Sequence, residues 1–395
     1  MKLFRAPILA VALPILAVFA FVFVHGDQLG SRAIALYIKS FEVASTTLPI
    51  QALLPVHLKT PNPTKAVYIS SWVAGSTKIR NGIIKMIDET ELNAVVIDVK
   101  DSTGIVSFKM DDPIIQRINP FENRIPDIDN LISELHKKNI YVIARIAVFE
   151  DPHLAKIRPD LAVKRKSDGK TWRDRKGLSW TDIGSREVWD YNIAVARAAY
   201  KVGFDELNFD YIRFPSDGDM TDIVYPSLVA TSSATDVNKK INKSEELRKF
   251  FYYLSESLKD TGAPVSADLF GMVTTNTDDL NIGQVLENAI PYFDYISPMV
   301  YPSHYPNGFH GYKNPATVPY ELLTFVLGEG VNRLIAASSS PSQLRPWLQD
   351  FNLGATYTAE MVRKEIQAVY DVGLDSWLLW SPSNKYTTAA LERED

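Results

Sequence analysis

Between residues 65 and 382, eight short apolar runs alternate with amphipathic stretches, and this alternation limits the possible folds more than any other feature. The runs are "KAVYISSW" (65–72), "NAVVIDVKD" (93–101), "IYVIARIAVF" (140–149), "FDELNFDYIRF" (204–214), "PVSADLFG" (264–271), "FDYISPMVY" (293–301), "LRPWLQDF" (344–351) and "DSWLLWSP" (375–382). Their β-branched and aromatic content reads as strand, and near-continuous apolarity marks strands covered on both faces. Helical periodicity fills the gaps at 77–90, 127–138, 186–201, 244–260, 281–289, 315–329 and 358–371. Eight strand–helix repeats predict an α/β protein whose parallel sheet closes into a (β/α)8 TIM barrel. An open doubly wound sheet is the alternative, but no Gly-x-Gly-x-x-Gly follows the first strand.

Flanking segments complete the expected organisation. Lys2 and Arg5 precede an uncharged run from Ala6 to Val24, 19 residues long and just sufficient to span a bilayer as a helix. Positive charge before the run places the N-terminus in the cytoplasm. Residues 1–25 therefore read as a signal anchor, or as a signal peptide if cleaved, with the barrel extracytoplasmic. Residues 26–62, rich in Ser, Thr and Pro, read as a linker, 63–390 as the barrel, and 391–395 as a polar tail. Two long insertions, 150–185 and 215–243, follow the third and fourth strands; in a barrel both would wall the carboxyl-end cleft.

Charge and composition narrow the function. A net charge of −5 and a pI near 5.8 argue against a nucleic-acid partner. No run of five like charges occurs, so charge alone points to no polyanionic partner. The absence of cysteine excludes disulfides, thiolate metal sites and cysteine nucleophiles. No histidine pair has metal-ligand spacing, and neither a Gly-x-Ser-x-Gly elbow nor a phosphate-binding loop is present. No cofactor or protein partner is expected; a divalent cation among Asp98, Asp101, Asp210 and Asp268 is the alternative in a carboxylate-rich barrel.

Polar and aromatic residues gather at the predicted carboxyl ends of nearly every strand. Asp210 and Asp268, on neighbouring strands 4 and 5, could flank a glycosidic bond, since adjacent strands lie ~4.8 Å apart and glycosidases set two carboxyls ~5–9.5 Å apart. Asp210 is the candidate nucleophile and Asp268 the candidate acid/base; a strand-exit ion pair between Asp210 and Arg213, with Asp268 capping a helix, is the structural alternative. Trp72, Asp98, Lys100, Arg145, Arg213, Tyr301, His304, Trp347, Gln349 and Trp380 are candidate substrate-binding residues. Trp172, Trp180 and Trp377 also fall near the predicted rim, where sugar C–H faces stack on flat rings. A polysaccharide or oligosaccharide is the expected ligand, with a non-catalytic, membrane-anchored glycan-binding barrel as the competing function.

The strings "FDYIRFPSDG" (209–218), "SADLFG" (266–271), "YFDYISPMVYPSHY" (292–305), "RPWLQDF" (345–351) and "WLLWSPSNKY" (377–386) resemble a microbial family of glycoside hydrolase-like TIM barrels, distantly similar to α-amylase-type barrels. The resemblance covers about residues 62–390. It implies a glycosidase with an Asp nucleophile ending strand 4, matched by Asp210, and an acid/base ending strand 5. That acid is commonly Glu; here Asp268 stands in its place, one methylene shorter, and Asp294 or Asp350 could serve instead.

Overall fold

The computed structural model describes residues 55–231 and 241–393. Eight parallel strands form a closed barrel: β1 (Lys65–Ile69), β2 (Ala94–Lys100), β3 (Tyr141–Ala147), β4 (Glu206–Asp210), β5 (Val265–Phe270), β6 (Tyr295–Met299), β7 (Trp347–Gln349) and β8 (Trp377–Trp380). Each strand pairs with its sequence neighbours, and β8 returns to β1 through Lys65 opposite Trp377. Of the described helices, these alternate with the strands: α1 (Thr77–Asp88), α2 (Ile128–Lys137), α3 (Arg186–Val202), α4 (Lys243–Leu258), α5 (Leu286–Ala289), α6 (Pro319–Ala336) and α7 (Ala359–Asp371), with short helical turns in the connecting loops. The larger apolar core lies between sheet and helices, with Val67, Ile97, Val142, Phe209 and Ile366 completely buried. A smaller one fills the barrel itself, with Ala66, Val96, Ile143, Trp347 and Leu378 pointing inward.

The element boundaries differ from expectation where the backbone turns left-handed. β4 stops at Asp210 because Tyr211 takes φ +53°, a conformation that no strand continues. The helix expected over 281–289 shrinks to four residues, since Leu280 and Asn281 both have positive φ and helical geometry resumes only at Leu286. α6 begins at Pro319 and runs through Gly328 and Gly330 to Ala336. Pro suits a first helical turn, and a Cβ at Gly330 would stand 3.2 Å from Leu344.

The stretch 55–62, expected to be linker, packs under the barrel. Leu58 packs against the interior cluster, and its N–H donates to Asp205 Oδ1 at 2.7 Å. Thr60 shares a hydrogen bond with Tyr141 Oη at 3.0 Å, and His57 stacks on Tyr200 at 3.8 Å. Asp205 also accepts from Val142 N–H at 2.8 Å. These contacts form a floor at the amino ends of the strands. The tail is docked likewise as far as residue 393: Leu391 is buried, and Glu392 joins Arg363 and Glu91. The Ala6–Val24 run lies outside the described residues, among which no helix is long and apolar enough to cross a membrane.

The two insertions meet each other. Lys164–Arg165 pairs antiparallel with Ile223–Val224, Ser167 N–H donates to Asp222 Oδ1 at 2.6 Å, and Trp172 Nε1 donates to the Asp219 carbonyl at 2.9 Å. Gly218, at φ +107°, lets the second insertion lie against Trp172, whose ring would stand 2.6 Å from any Cβ there.

Candidate active site

Alternation inside a barrel strand fixes which side chains reach its mouth. On β4 the inward positions are Glu206, Asn208 and Asp210, and on β5 they are Ser266, Asp268 and Phe270. Asn208 pairs with Ser266 and Phe209 with Ala267, so Asp210 and Asp268 are the next rung of the ladder, side by side at the carboxyl ends. Arg145, inward on β3, joins them. Its Nη1 binds Asp98 Oδ1 at 2.7 Å, Nη2 binds Asp210 Oδ2, and Nε lies 3.7 Å from Asp268 Oδ2. Trp380 and Tyr68 cover the guanidinium, with ring centres 5.0 and 5.6 Å away. Tyr68 Oη donates to Asp98 Oδ2 at 2.5 Å.

The two central carboxyls have different environments. Asp210 accepts the Tyr211 backbone N–H at 2.5 Å as well as Arg145, two donors that complement a negative charge. The left-handed Tyr211 backbone turns that N–H back onto Asp210, a strained conformation of the kind that collects at functional sites. Asp268 is fully enclosed: Asn208 Nδ2 and Trp347 Nε1 donate to its Oδ1 at 2.9 and 2.7 Å. Burial, aided by the Asp210 charge, pushes Asp268 up to about 7, against the opposing pull of Arg145, Asn208 and Trp347. Burial would lower the Arg145 guanidinium, yet Asp210 and Asp98 hold it well above its ordinary value.

Polar side chains support the site from below. Ser266 Oγ donates to Glu206 Oε1 at 2.6 Å, Tyr141 Oη donates to Glu206 Oε2 at 3.2 Å, and Arg345 forms a fully buried ion pair with Glu206. Asn208 links this layer to Asp268 by donating to Ser266 as well, at 3.1 Å.

Above the carboxyls opens a cleft of about 350 Å³. Asp210, Asp268, Arg145, Arg213, Tyr301, His304, Trp347 and Trp380 line it, with Phe270, Met272 and Met299 as apolar wall. Burial lowers the His304 imidazole, which favours its neutral form, and Ser303 Oγ lies 3.1 Å from its Nδ1. Gln349 does not line the cleft. Its amide holds neighbouring loops, accepting from Ser303 N–H and Oγ at 3.1 and 2.8 Å and donating to the Phe351 carbonyl at 2.9 Å.

Several expected rim residues lie elsewhere. A bulge between Asp98 and Lys100 reverses the alternation of β2, so Lys100 turns into the helix layer. There it pairs with Asp151 at 2.7 Å and donates to Asn192 at 2.8 Å. Trp72 stands outside the cleft lining, 60% exposed, with Arg124 stacked 4.7 Å from its ring centre. Trp172 and Trp180 are buried within the insertions, and Trp377 faces α7, donating to Tyr370 Oη at 3.2 Å. Asp294 sits at the floor, where it accepts Val265 N–H at 2.8 Å; Asp350 holds Thr387. Asp101 is drawn to Arg124, and among the described residues no group of three or more acidic or histidine side chains is arranged to hold a metal.

Glu150 was not anticipated. It lies three residues past β3, is buried beside Trp180, and its burial pushes it up to about 7 against the pull of Arg213. The only signal in the sequence is its place, one residue past an apolar run. Tyr68 and Asn208 were hidden for a similar reason, since nothing in a strand's composition reveals which neighbour an inward side chain will touch.

A closed parallel barrel with acidic, basic and aromatic side chains converging on its carboxyl-end cleft defines the class of (β/α)8 barrels, and the cleft lies where such barrels place their ligand sites. Residues 66–386 match the model of a family described as "putative glycosyl hydrolase domain", and the chain belongs to that family. No curated protein matches the chain in sequence. Among solved structures, the PgaB (BpsB) glycoside hydrolase domain from Bordetella bronchiseptica has a TM-score of 0.61 at 14% identity, covering 85% of this chain and 100% of that one. The galactosidase domain of the α-galactosidase–sucrose kinase AgaSK has a TM-score of 0.51 at 12% identity, covering 83% of this chain and 39% of that one. A hypothetical protein from Ruminiclostridium thermocellum is 33% identical over 51% of this chain and 96% of its own, with a TM-score of 0.45. At 12–14% identity the first two share the fold.

Proposed function

We propose that the protein hydrolyses glycosidic bonds of a polysaccharide or cell-envelope glycan, with Asp268 as acid/base and Asp210 as nucleophile. The observation that carries this reading is the adjacent rung of two carboxyls with unlike environments. Asp268, pushed up to about 7 by burial, keeps a proton to give to the leaving oxygen near neutral pH. Asp210, between Arg145 and the Tyr211 N–H, presents a carboxylate to the anomeric carbon. Asp268 Oδ1 already accepts two N–H groups, so its transferable proton belongs on Oδ2. Trp380 and Tyr301 line the same cleft, supplying the aromatic surface that sugar rings favour. In this reading the Ala6–Val24 run anchors the chain in a membrane with the barrel outside the cytoplasm.

The test is release of reducing ends from α- and β-linked envelope glycans by the full chain and its Asp210→Asn and Asp268→Asn variants. The expected outcome is cleavage of at least one linkage, reduced about 10³-fold or more in either variant with binding retained. Equal binding by all three proteins, with cleavage by none, would make the barrel a glycan receptor.

A further inference from the structure

The cleft contains two arginines in opposite circumstances. Arg145 is neutralised by Asp98 and Asp210. Arg213 also lines the cleft but makes no ion pair among the described residues; its Nη1 donates to the Phe214 carbonyl at 3.1 Å and to Ser216 Oγ at 3.2 Å. Its Nε and Nη2 have no hydrogen-bond partner there. The guanidinium is held by aromatic rings, with centres at 4.8 Å (Trp180), 4.9 Å (Phe270) and 5.7 Å (Tyr211). Ring faces attract a cation without neutralising it. Burial accordingly lowers Arg213, and Glu150, the leading opposing charge, is itself kept partly protonated near neutral pH by burial. A half-buried cation that no carboxylate neutralises, with one edge of its fork unoccupied, is matched to an anion from outside.

A second observation lies on the same rim. The hairpin of the first insertion, residues 164–177, carries seven Lys and Arg against two Asp, in a protein whose net charge is −5. No run of five like charges announces it in the sequence, because Ser167, Asp168 and Gly169 interrupt the series. Lys166, Arg175 and Lys176 are exposed, while Asp168 is taken by Arg165 and Lys170. The facing strand brings Asp219 and Asp222, hydrogen-bonded to Thr221 and Ser167, which reduce the positive excess without cancelling it. Trp180, at the hairpin's base, stacks on Arg213 and joins the two features.

We propose that the cleft takes an acidic glycan: Arg213 receives a sugar carboxylate through its Nε and Nη2 edge, and the cationic hairpin attracts the charges of neighbouring sugar units. This rests on the reading of the cleft as a glycan site. The planar fork fits a carboxylate in two parallel hydrogen bonds, and a positively charged rim raises the local concentration of a polyanion.

The test is titration calorimetry of the full chain with three matched oligosaccharides: a uronic acid oligomer, its carboxyl-reduced neutral counterpart, and a phosphodiester-linked oligomer. The expected result is binding of the uronate about tenfold or more tighter than the neutral oligomer. The gap should weaken with salt, close in Arg213→Gln, and survive in part in Arg213→Lys. A Lys166→Gln, Arg175→Gln, Lys176→Gln triple variant, altered only at exposed positions, should narrow the gap and its salt dependence, and decides the matter if Arg213→Gln does not fold. Neutral and acidic oligomers binding equally, or a gap unchanged in the variants, would overturn the acidic-glycan assignment while leaving the hydrolase reading intact. Preference for the phosphodiester over the uronate would overturn the carboxylate. Failure of all three to bind would overturn both this assignment and the glycan reading beneath it.

Discussion

Trp347→Phe removes one of the two side-chain hydrogen bonds that oppose the rise of Asp268. The indole Nε1 donates to Asp268 Oδ1 at 2.7 Å, and both residues are buried. A hydrogen bond to a charged group contributes about 1.5–3 kcal/mol, and one pKa unit corresponds to about 1.4 kcal/mol, so removing the donor raises Asp268 by about one to two units. Asn208 remains on the same oxygen at 2.9 Å and absorbs part of the loss, which favours the lower figure. The proposed acid would work protonated, so the alkaline limb of kcat/KM, expected near pH 7, should move up by about one unit. The assay is the pH profile of kcat/KM from about pH 5 to 10 for the full chain and the variant on the same glycan. Phe also reshapes the cleft wall and lowers the maximum, but the position of the limb does not depend on its height. A limb that stays in place, or moves toward acid, would refute the assignment of Asp268 as the titrating acid.

Three further outcomes are expected. Asp268 is raised from an ordinary 3.8 to about 7, so folding takes up a proton between these values, and the stability present below pH 4 is lost as pH rises through about 7. Asp268→Asn should therefore melt higher than the native chain at pH 8 but not at pH 4, by at most about 4 kcal/mol; calorimetry at the two pH values checks this, and equal melting at both would exclude it. Glu206→Gln strands the Arg345 charge in the middle of the barrel and should cost about 3–5 kcal/mol in denaturant unfolding. Asp205→Ala leaves Leu58 N–H and Val142 N–H without their acceptor at the floor. It should cost about 2–4 kcal/mol and speed proteolysis within 55–64; an unchanged cleavage pattern would show that the floor is held by packing instead.

The alternation of apolar runs and amphipathic stretches carried the barrel, because strands covered on both faces and the helices covering them differ in period. The mouth was also legible where alternation held unbroken: Arg145, Asp210, Asp268, Trp347 and Trp380 all reach the cleft. It failed where one residue broke the count. The bulge before Lys100 sends that lysine to the helix layer, and the left-handed Tyr211 ends β4 four residues before its apolar run ends. Both are local backbone choices settled by tertiary contacts, and composition does not encode them. Trp377 illustrates a second limit: next to Leu378, which faces inward, it faces outward, and hydrophobicity does not distinguish the two sides of a doubly covered strand. The floor was missed because Ser, Thr and Pro mark irregular backbone, and irregular backbone can still be packed.

The layer beneath the cleft divides the labour of the molecule. Asp268 is held by Asn208 and Trp347, and Asn208 by Ser266 above the Glu206–Arg345 pair, all contributed by the strands and their immediate approaches. None of these anchors comes from the insertions after β3 and β4, which carry the cationic hairpin and Trp180, one of the rings around Arg213. Loops on this scaffold can therefore be lengthened, recharged or transplanted while the carboxyls keep their position. A lineage built this way can redraw what the cleft admits at its rim while the barrel keeps the two carboxyls in register.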